Sequence, residues 1–184
     1  MIRRAKVCAS TSRIACSRVR PRVTSVSPGP VSLWPLRPIA NQAGDIRLFV
    51  PLEWAEWIGT VEPGPFTALQ ASTSIDQFET TWNVSGVLAT VGYVGPDAAD
   101  LPAVLELATA VGDCVAETSE PYADAVYTGE LHLFSQCGGV DTDAAVLVAT
   151  DAANSVEIAL EFQFAGGYDR VVLNQMLAGF AAGA

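Results

Sequence analysis

The chain has 184 residues, half of them hydrophobic, which is enough for one domain with a substantial core and short of two. Its formal charge of −10 hides a split: residues 1–40 hold eight Arg/Lys and no carboxylate (+8), whereas residues 41–184 set only Arg47 and Arg170 against all 20 carboxylates (−18). So acidic a body repels nucleic-acid phosphates and anionic lipid head groups, which argues against nucleic-acid and membrane-surface roles.

Residues 1–44 mix Arg, Ser and Pro with scattered apolar residues and show neither a helical nor an alternating period, so they are expected to be disordered. Arg13, Arg18, Arg20 and Arg22 interrupt every apolar run that a secretory signal would need. Arg13-Ile14-Ala15-Cys16 has the small residue and cysteine of a lipoprotein cleavage site but lacks the apolar stretch before it. The change in composition near Asp45 suggests a separate origin for this segment, either an interdomain linker or a start placed too far upstream. No run of 18 uninterrupted apolar residues occurs, so no membrane span is expected.

A folded domain is expected from Asp45 onward. Ile46 to Val50 reads as a strand stopped by Pro51, and Leu52 to Ile58 forms an apolar patch around Trp54 and Trp57. Phe66 to Ala71 is a second strand. Ser74, with Gln77 three residues on, has the spacing of a capping box opening a short helix through Glu79. Val84 to Val94 is a third strand, interrupted by glycine. Asp100 caps a helix whose Leu101, Val104, Leu105 and Ala108 share one stripe. Ala125 to Ser135 alternates, with Tyr127, Leu131 and Leu133 on one face and Thr128, Glu130 and His132 on the other. Ala144 to Thr150 reads as an interior strand. Ser155 to Phe164 has a strict period of two: Val156, Ile158, Leu160, Phe162 and Phe164 against Glu157, Glu161 and Gln163. Asp169 caps a last helix in which Val172, Leu173, Met176, Leu177 and Phe180 share a face. The class is α+β, an antiparallel sheet packed by the Asp100 and Asp169 helices.

No catalytic signature is complete. His132 is the sole histidine, so a histidine-dependent hydrolase must use it, with Glu130 beside it and a nucleophile the sequence does not identify. A solvated or hydrogen-bonded strand histidine is the simpler reading. Cys114 and Cys137 lie 23 positions apart without the CxxC spacing of a zinc site. They suit a disulfide contributing about 3 kcal/mol in an oxidising compartment, or two reduced core cysteines in a cytosolic protein. Asp141 and Asp143 imitate the start of a calcium loop whose glycine and final glutamate are missing, and are read as a turn. Gly138-Gly139 and Gly166-Gly167 fit no phosphate-binding pattern and are also read as turns. Asn83-Val84-Ser85 has the form of a glycosylation sequon, relevant only on a eukaryotic secretory route. Trp54, Trp57, Phe66 and Trp82 could line a ligand groove or fill the core. No cofactor and no metal ligand set is expected.

Several runs resemble a known module: Val50-Pro51-Leu52-Glu53-Trp54, Leu69-Gln70-Ala71-Ser72 followed by a helix to Phe78, and Ser85-Gly86-Val87. Later come Asp113-Cys114, Pro121-Tyr122-Ala123-Asp124 leading to Tyr127-Thr128-Gly129, Cys137-Gly138-Gly139 and a terminal helix to Phe180. From about Asp45 to Ala182 the chain resembles an extracytoplasmic domain of actinobacteria, found behind trypsin-like serine proteases and in lipoproteins, with a fold similar to PsbP and Mog1. The resemblance implies a disulfide between Cys114 and Cys137 and carries no catalytic residues. It also implies a noncatalytic accessory module that engages a protein partner, such as a protease domain, or a small ligand outside the cytoplasm. The signal peptide and protease domain usual in that arrangement are not read in this stretch.

Overall fold

The computed structural model describes residues 34–61, 66–93, 113–167 and 170–183. The chain divides into a unit Met1–Ser32, which lies outside the described residues, and a unit Leu33–Ala184, which concerns everything below. The second unit contains, in chain order, β1 (Leu36–Ala40), β2 (Ile46–Pro51), β3 (Glu56–Val61), β4 (Phe66–Ser72), α1 (Ile75–Phe78) and β5 (Gly86–Tyr93). There follow β6 (Val115–Ala123), β7 (Tyr127–Ser135), a 3₁₀ turn at Cys137–Gly139, β8 (Thr142–Asp151), β9 (Val156–Ala165), α2 (Arg170–Ala178) and β10 (Ala181–Ala182).

Strands β3 to β9 form one antiparallel sheet in the order β3-β4-β5-β9-β8-β7-β6. The alternation of β9 puts Ile158, Leu160, Phe162 and Phe164 on its inner face, beside Val87, Ala89 and Val91 of β5 and Ala145, Leu147 and Ala149 of β8. Burying each large side chain of this kind stabilises by about 1.5–3 kcal/mol, so the inner face needs a full cover. That cover is a second antiparallel sheet, β1-β2-β10, together with α2. β2 sends in Ile46, Leu48 and Val50 on its own alternation, and α2 sends in Val172, Leu173, Met176 and Leu177. Among the described residues the result is dominated by antiparallel sheet, with the expected terminal helix packed on it and a small second sheet that was not expected. Among the described residues, the nine residues of α2 cover only part of seven strands, and the small sheet supplies further apolar area. The Asp100 helix and the Asp169 cap fall outside the described residues.

The boundary expected at Asp45 is corrected, because β1 lies ahead of it. β1 pairs with β2 from Leu36↔Pro51 to Ala40↔Arg47, which buries Ile39 in the core. Asn41 makes the hairpin turn, its Oδ1 accepting the N–H of Gly44 (3.0 Å) and of Ile46 (3.1 Å). At the other end of the chain the Tyr127 hydroxyl donates to the Ala182 carbonyl (2.7 Å) and accepts the Ala182 N–H (3.1 Å), fixing β10.

A second correction concerns α1. Ser74 is its N-cap residue, yet no side-chain cap is made; the N–H of Ile75 instead donates to Glu56 Oε2 from β3 (2.9 Å). The Ser74 backbone N–H donates to the Ser72 hydroxyl (3.1 Å).

Candidate functional site

Backbone register places one residue from each strand of the large sheet in a single row across its outer face. Ile58 stands opposite Gln70, Gln70 opposite Leu88, Leu88 opposite Glu161, Glu161 opposite Val146, Val146 opposite His132, and His132 opposite Ser119. Toward the β8 side this face is apolar and buried: Phe134, Ala144, Val146, Val148 and Ala159 form a second cluster with Cys137, and Trp82 and Cys114 pack on it.

Over the middle of the row lies a groove of about 630 Å³. Its floor is the β4–β5–β9–β8 surface with Gln70, Leu88, Glu161 and Val146, and its wall is the segment after α1, with Phe78, Glu79 and Trp82. That wall is held by side chains rising from the floor. Gln163 Nε2 donates to the carbonyls of Thr81 (3.0 Å) and Val84 (2.5 Å), and Thr142 Oγ1 donates to the carbonyl of Trp82 (2.5 Å). Gln163 and Thr142 are buried, so these bonds are shielded from competing water. Both aromatic rings of the wall rest on glycines: a Cβ on Gly86 would strike the Phe78 ring, and one on Gly138 would strike the Trp82 indole.

Glu161 is the half-buried carboxylate of the groove. Its row neighbours Leu88 and Val146 are apolar, and among the described residues no donor or cation meets it. Burial pushes its pKa above the ordinary glutamate value, because removal from water disfavours the charged form. Gln70, also half-buried, likewise makes no side-chain hydrogen bond among the described residues.

His132 and Glu130 do come together on the outer face of β7. Nε2 lies 3.3 Å from Glu130 Oε2, but not in hydrogen-bonding geometry, and the imidazole stacks on Phe134 with centroids 6.5 Å apart. Ser119 faces His132 across the β6–β7 pair, and no hydrogen bond joins the two. Across the row this pair is separated from Glu161 by Val146 of β8.

A disulfide joins Cys114 to Cys137, with Cα atoms 4.0 Å apart. Cys114 precedes β6 and Cys137 follows β7, so the bond staples the open end of that hairpin and stands behind Trp82. The closed end is turned by Asp124, which accepts the Tyr122 hydroxyl and the N–H groups of Val126 and Tyr127, each at 2.7 Å. Burial alone would raise the Asp124 pKa, but these donors outweigh it and hold the carboxyl below its ordinary value.

The four aromatics considered for a groove separate. Trp54 is core, 1% exposed and tilted against Phe164. Trp57 is 47% exposed on the edge strand β3, with the Arg37 guanidinium 4.4 Å above its ring, and Phe66 is exposed on β4. Trp82 alone of the four lines the groove. Glu161 and Gln163 were legible only as the polar side of an alternating strand, and Gln70 and Phe78 carried no signal of a site. Asp141 sits in a turn, its carbonyl accepting the Gly166 N–H (2.7 Å), and the turn glycines 138, 139, 166 and 167 all have positive φ. No group of three or more His, Cys, Asp or Glu side chains able to hold a metal ion occurs among the described residues, and no helix there is long and apolar enough to cross a membrane.

No family model and no curated protein matches the chain. Among solved structures it is similar to the solution structure of cyanobacterial PsbP (CyanoP) from Synechocystis sp. PCC 6803, at 13% identity and a TM-score of 0.47, covering 85% of this chain and 98% of that one. An overlap that loose carries neither a site nor a function from one protein to the other.

Proposed function

We propose that the Leu33–Ala184 unit is a noncatalytic binding module working outside the cytoplasm, and that the groove over Gln70, Glu161 and Trp82 is its binding site. The observation that carries this reading is the construction of the wall. Three hydrogen bonds from buried side chains of β8 and β9 hold the segment 81–84 in place over an open floor, which is the preorganisation a recognition site needs. The disulfide supports the compartment, since such bonds persist where the environment is oxidising. An accessory module of this kind would serve a larger extracytoplasmic protein, with a protease domain as the partner that the sequence resemblance implies.

A heteronuclear NMR screen of the full chain with small amines, alcohols and acids tests the reading. Shifts should gather at Gln70, Glu161, Gln163 and Trp82. Shifts gathered elsewhere, for instance along the exposed β3 edge at Trp57, would overturn it. The second reading, a hydrolase using His132 with Glu130, has their 3.3 Å approach in its favour. Turnover of peptide or ester substrates that vanishes in His132→Ala would establish that reading against the first.

A further inference from the structure

We propose that the groove takes a small organic cation, its ammonium group paired with the Glu161 carboxylate and its apolar body held against Trp82 and Phe78. This rests on the groove being the binding site, and adds the chemical class of what binds there.

Glu161 is half-buried in the groove and, among the described residues, receives neither a hydrogen bond nor an ion pair in return. A desolvated carboxylate without a partner is costly, and native proteins ordinarily pair it with a cation or with several donors. Neither is present among the described residues: its neighbours across the sheet are Leu88 and Val146, and Gln163, next on the same face of β9, spends its amide N–H groups on the Thr81 and Val84 carbonyls. Nor can the unit readily supply a cation. Residues 34–183 hold three arginines and no lysine. Arg37 lies over Trp57 and bonds the Trp54 carbonyl, Arg170 pairs with Glu120, and Arg47 belongs to β2 of the other sheet. The complement that the described residues leave open at Glu161 is a positive charge, which a ligand can bring.

The rest of the groove fits the same class. An ammonium beside an indole and a phenyl ring gains from the ring quadrupoles, and more so where water is excluded. Gln70, with its amide uncommitted, can turn its carbonyl oxygen to an ammonium N–H. Glu79 at the wall adds a second negative charge, and a body holding 20 carboxylates draws cations toward any opening on its surface. An anionic ligand would meet Glu161 and Glu79 together, and a neutral one would leave Glu161 uncompensated.

The test uses three probes with the same ring: phenethylammonium, 2-phenylethanol and phenylacetate, titrated into the full chain and into Glu161→Gln, with NMR shifts in the groove as readout. Glutamine keeps the shape and removes the charge. It relieves an unpaired carboxylate, so the variant should fold, and its thermal melt confirms that. We expect phenethylammonium to bind the parent about tenfold or more tightly than phenylethanol, with phenylacetate weakest, and Glu161→Gln to erase the preference. Equal binding of all three at the groove residues, or a preference that survives in Glu161→Gln, would overturn the cation assignment and leave the groove as a binding site. No shift at groove residues with any probe would overturn both.

Discussion

Trp82 lies against the α-carbon of Gly138, so closely that a methyl group there would enter the indole. Gly138 also has φ +63, a conformation that costs a residue with a Cβ about 1–2 kcal/mol. Its neighbour Gly139 has φ +70 with nothing within 4 Å of a Cβ. Gly139→Ala should therefore show the backbone cost alone, while Gly138→Ala should lose about 1–3 kcal/mol more by pushing Trp82 off its support. Urea denaturation of the two variants measures the difference, and equal losses would show that the indole moves freely.

The start of α1 offers a contrast between two candidate caps. Glu56→Ala should cost about 0.5–2 kcal/mol, because the Ile75 N–H loses a charged acceptor. Ser74→Ala should cost a few tenths at most, since its hydroxyl makes no cap bond. The reverse ranking in thermal melts would restore the capping box.

Removing the disulfide with a Cys114→Ala/Cys137→Ala pair should lower stability by about 3 kcal/mol, the loop-closure value for its 23-residue separation. Because Trp82 and Cys114 pack on the same buried cluster, the indole's fluorescence should change in the folded variant. Peptide mapping of the native protein without reductant should recover the two segments linked.

The pH response of Glu161 has a definite sign. Its folded pKa is raised by burial, so its contribution favours the fold fully below the ordinary glutamate pKa and is lost as pH rises through the folded value. Glu161→Gln should then be more stable than the parent at neutral pH and level with it in acid. Glu79 in the wall, Glu157 on the same face of β9 and His132 two strands away are common to both proteins, so the comparison isolates Glu161. Melting temperature against pH for the pair checks this, and a parent more stable at neutrality would mean that Glu161 has a partner. Saturating phenethylammonium should stabilise the parent above the variant.

The elements legible in the sequence are those with two neighbours. β9, β8 and β5 sit in the middle of the large sheet, and β2 in the middle of the small one. Burial there demands regular apolar positions, and the alternation of Val156, Ile158, Leu160, Phe162 and Phe164 is the visible result. β7 and the apolar stripe of α2 were readable for the same reason. The strands that escaped notice, β1, β3, β6 and β10, are all edges. An edge strand pairs on one side, tolerates Pro38 or Pro121, and leaves Trp57 and Ile58 half in solvent, so its periodicity is blurred. The groove was hidden for another reason. Its parts come from segments far apart in the chain, and Glu161 read locally is simply the polar side of a strand.

The strand order also divides the large sheet into two meanders, β3-β4-β5 and β6-β7-β8-β9, each built from consecutive hairpins. Only the β5–β9 pairing joins them, and the Gln163 bond to the Thr81 carbonyl spans 82 residues at that seam. Local hairpins close quickly, whereas a contact of such separation must first overcome the entropy of a long loop. Docking of the two halves is thus expected to be the slow event in folding, and the groove, whose wall hangs from Gln163, should form only when that event is complete.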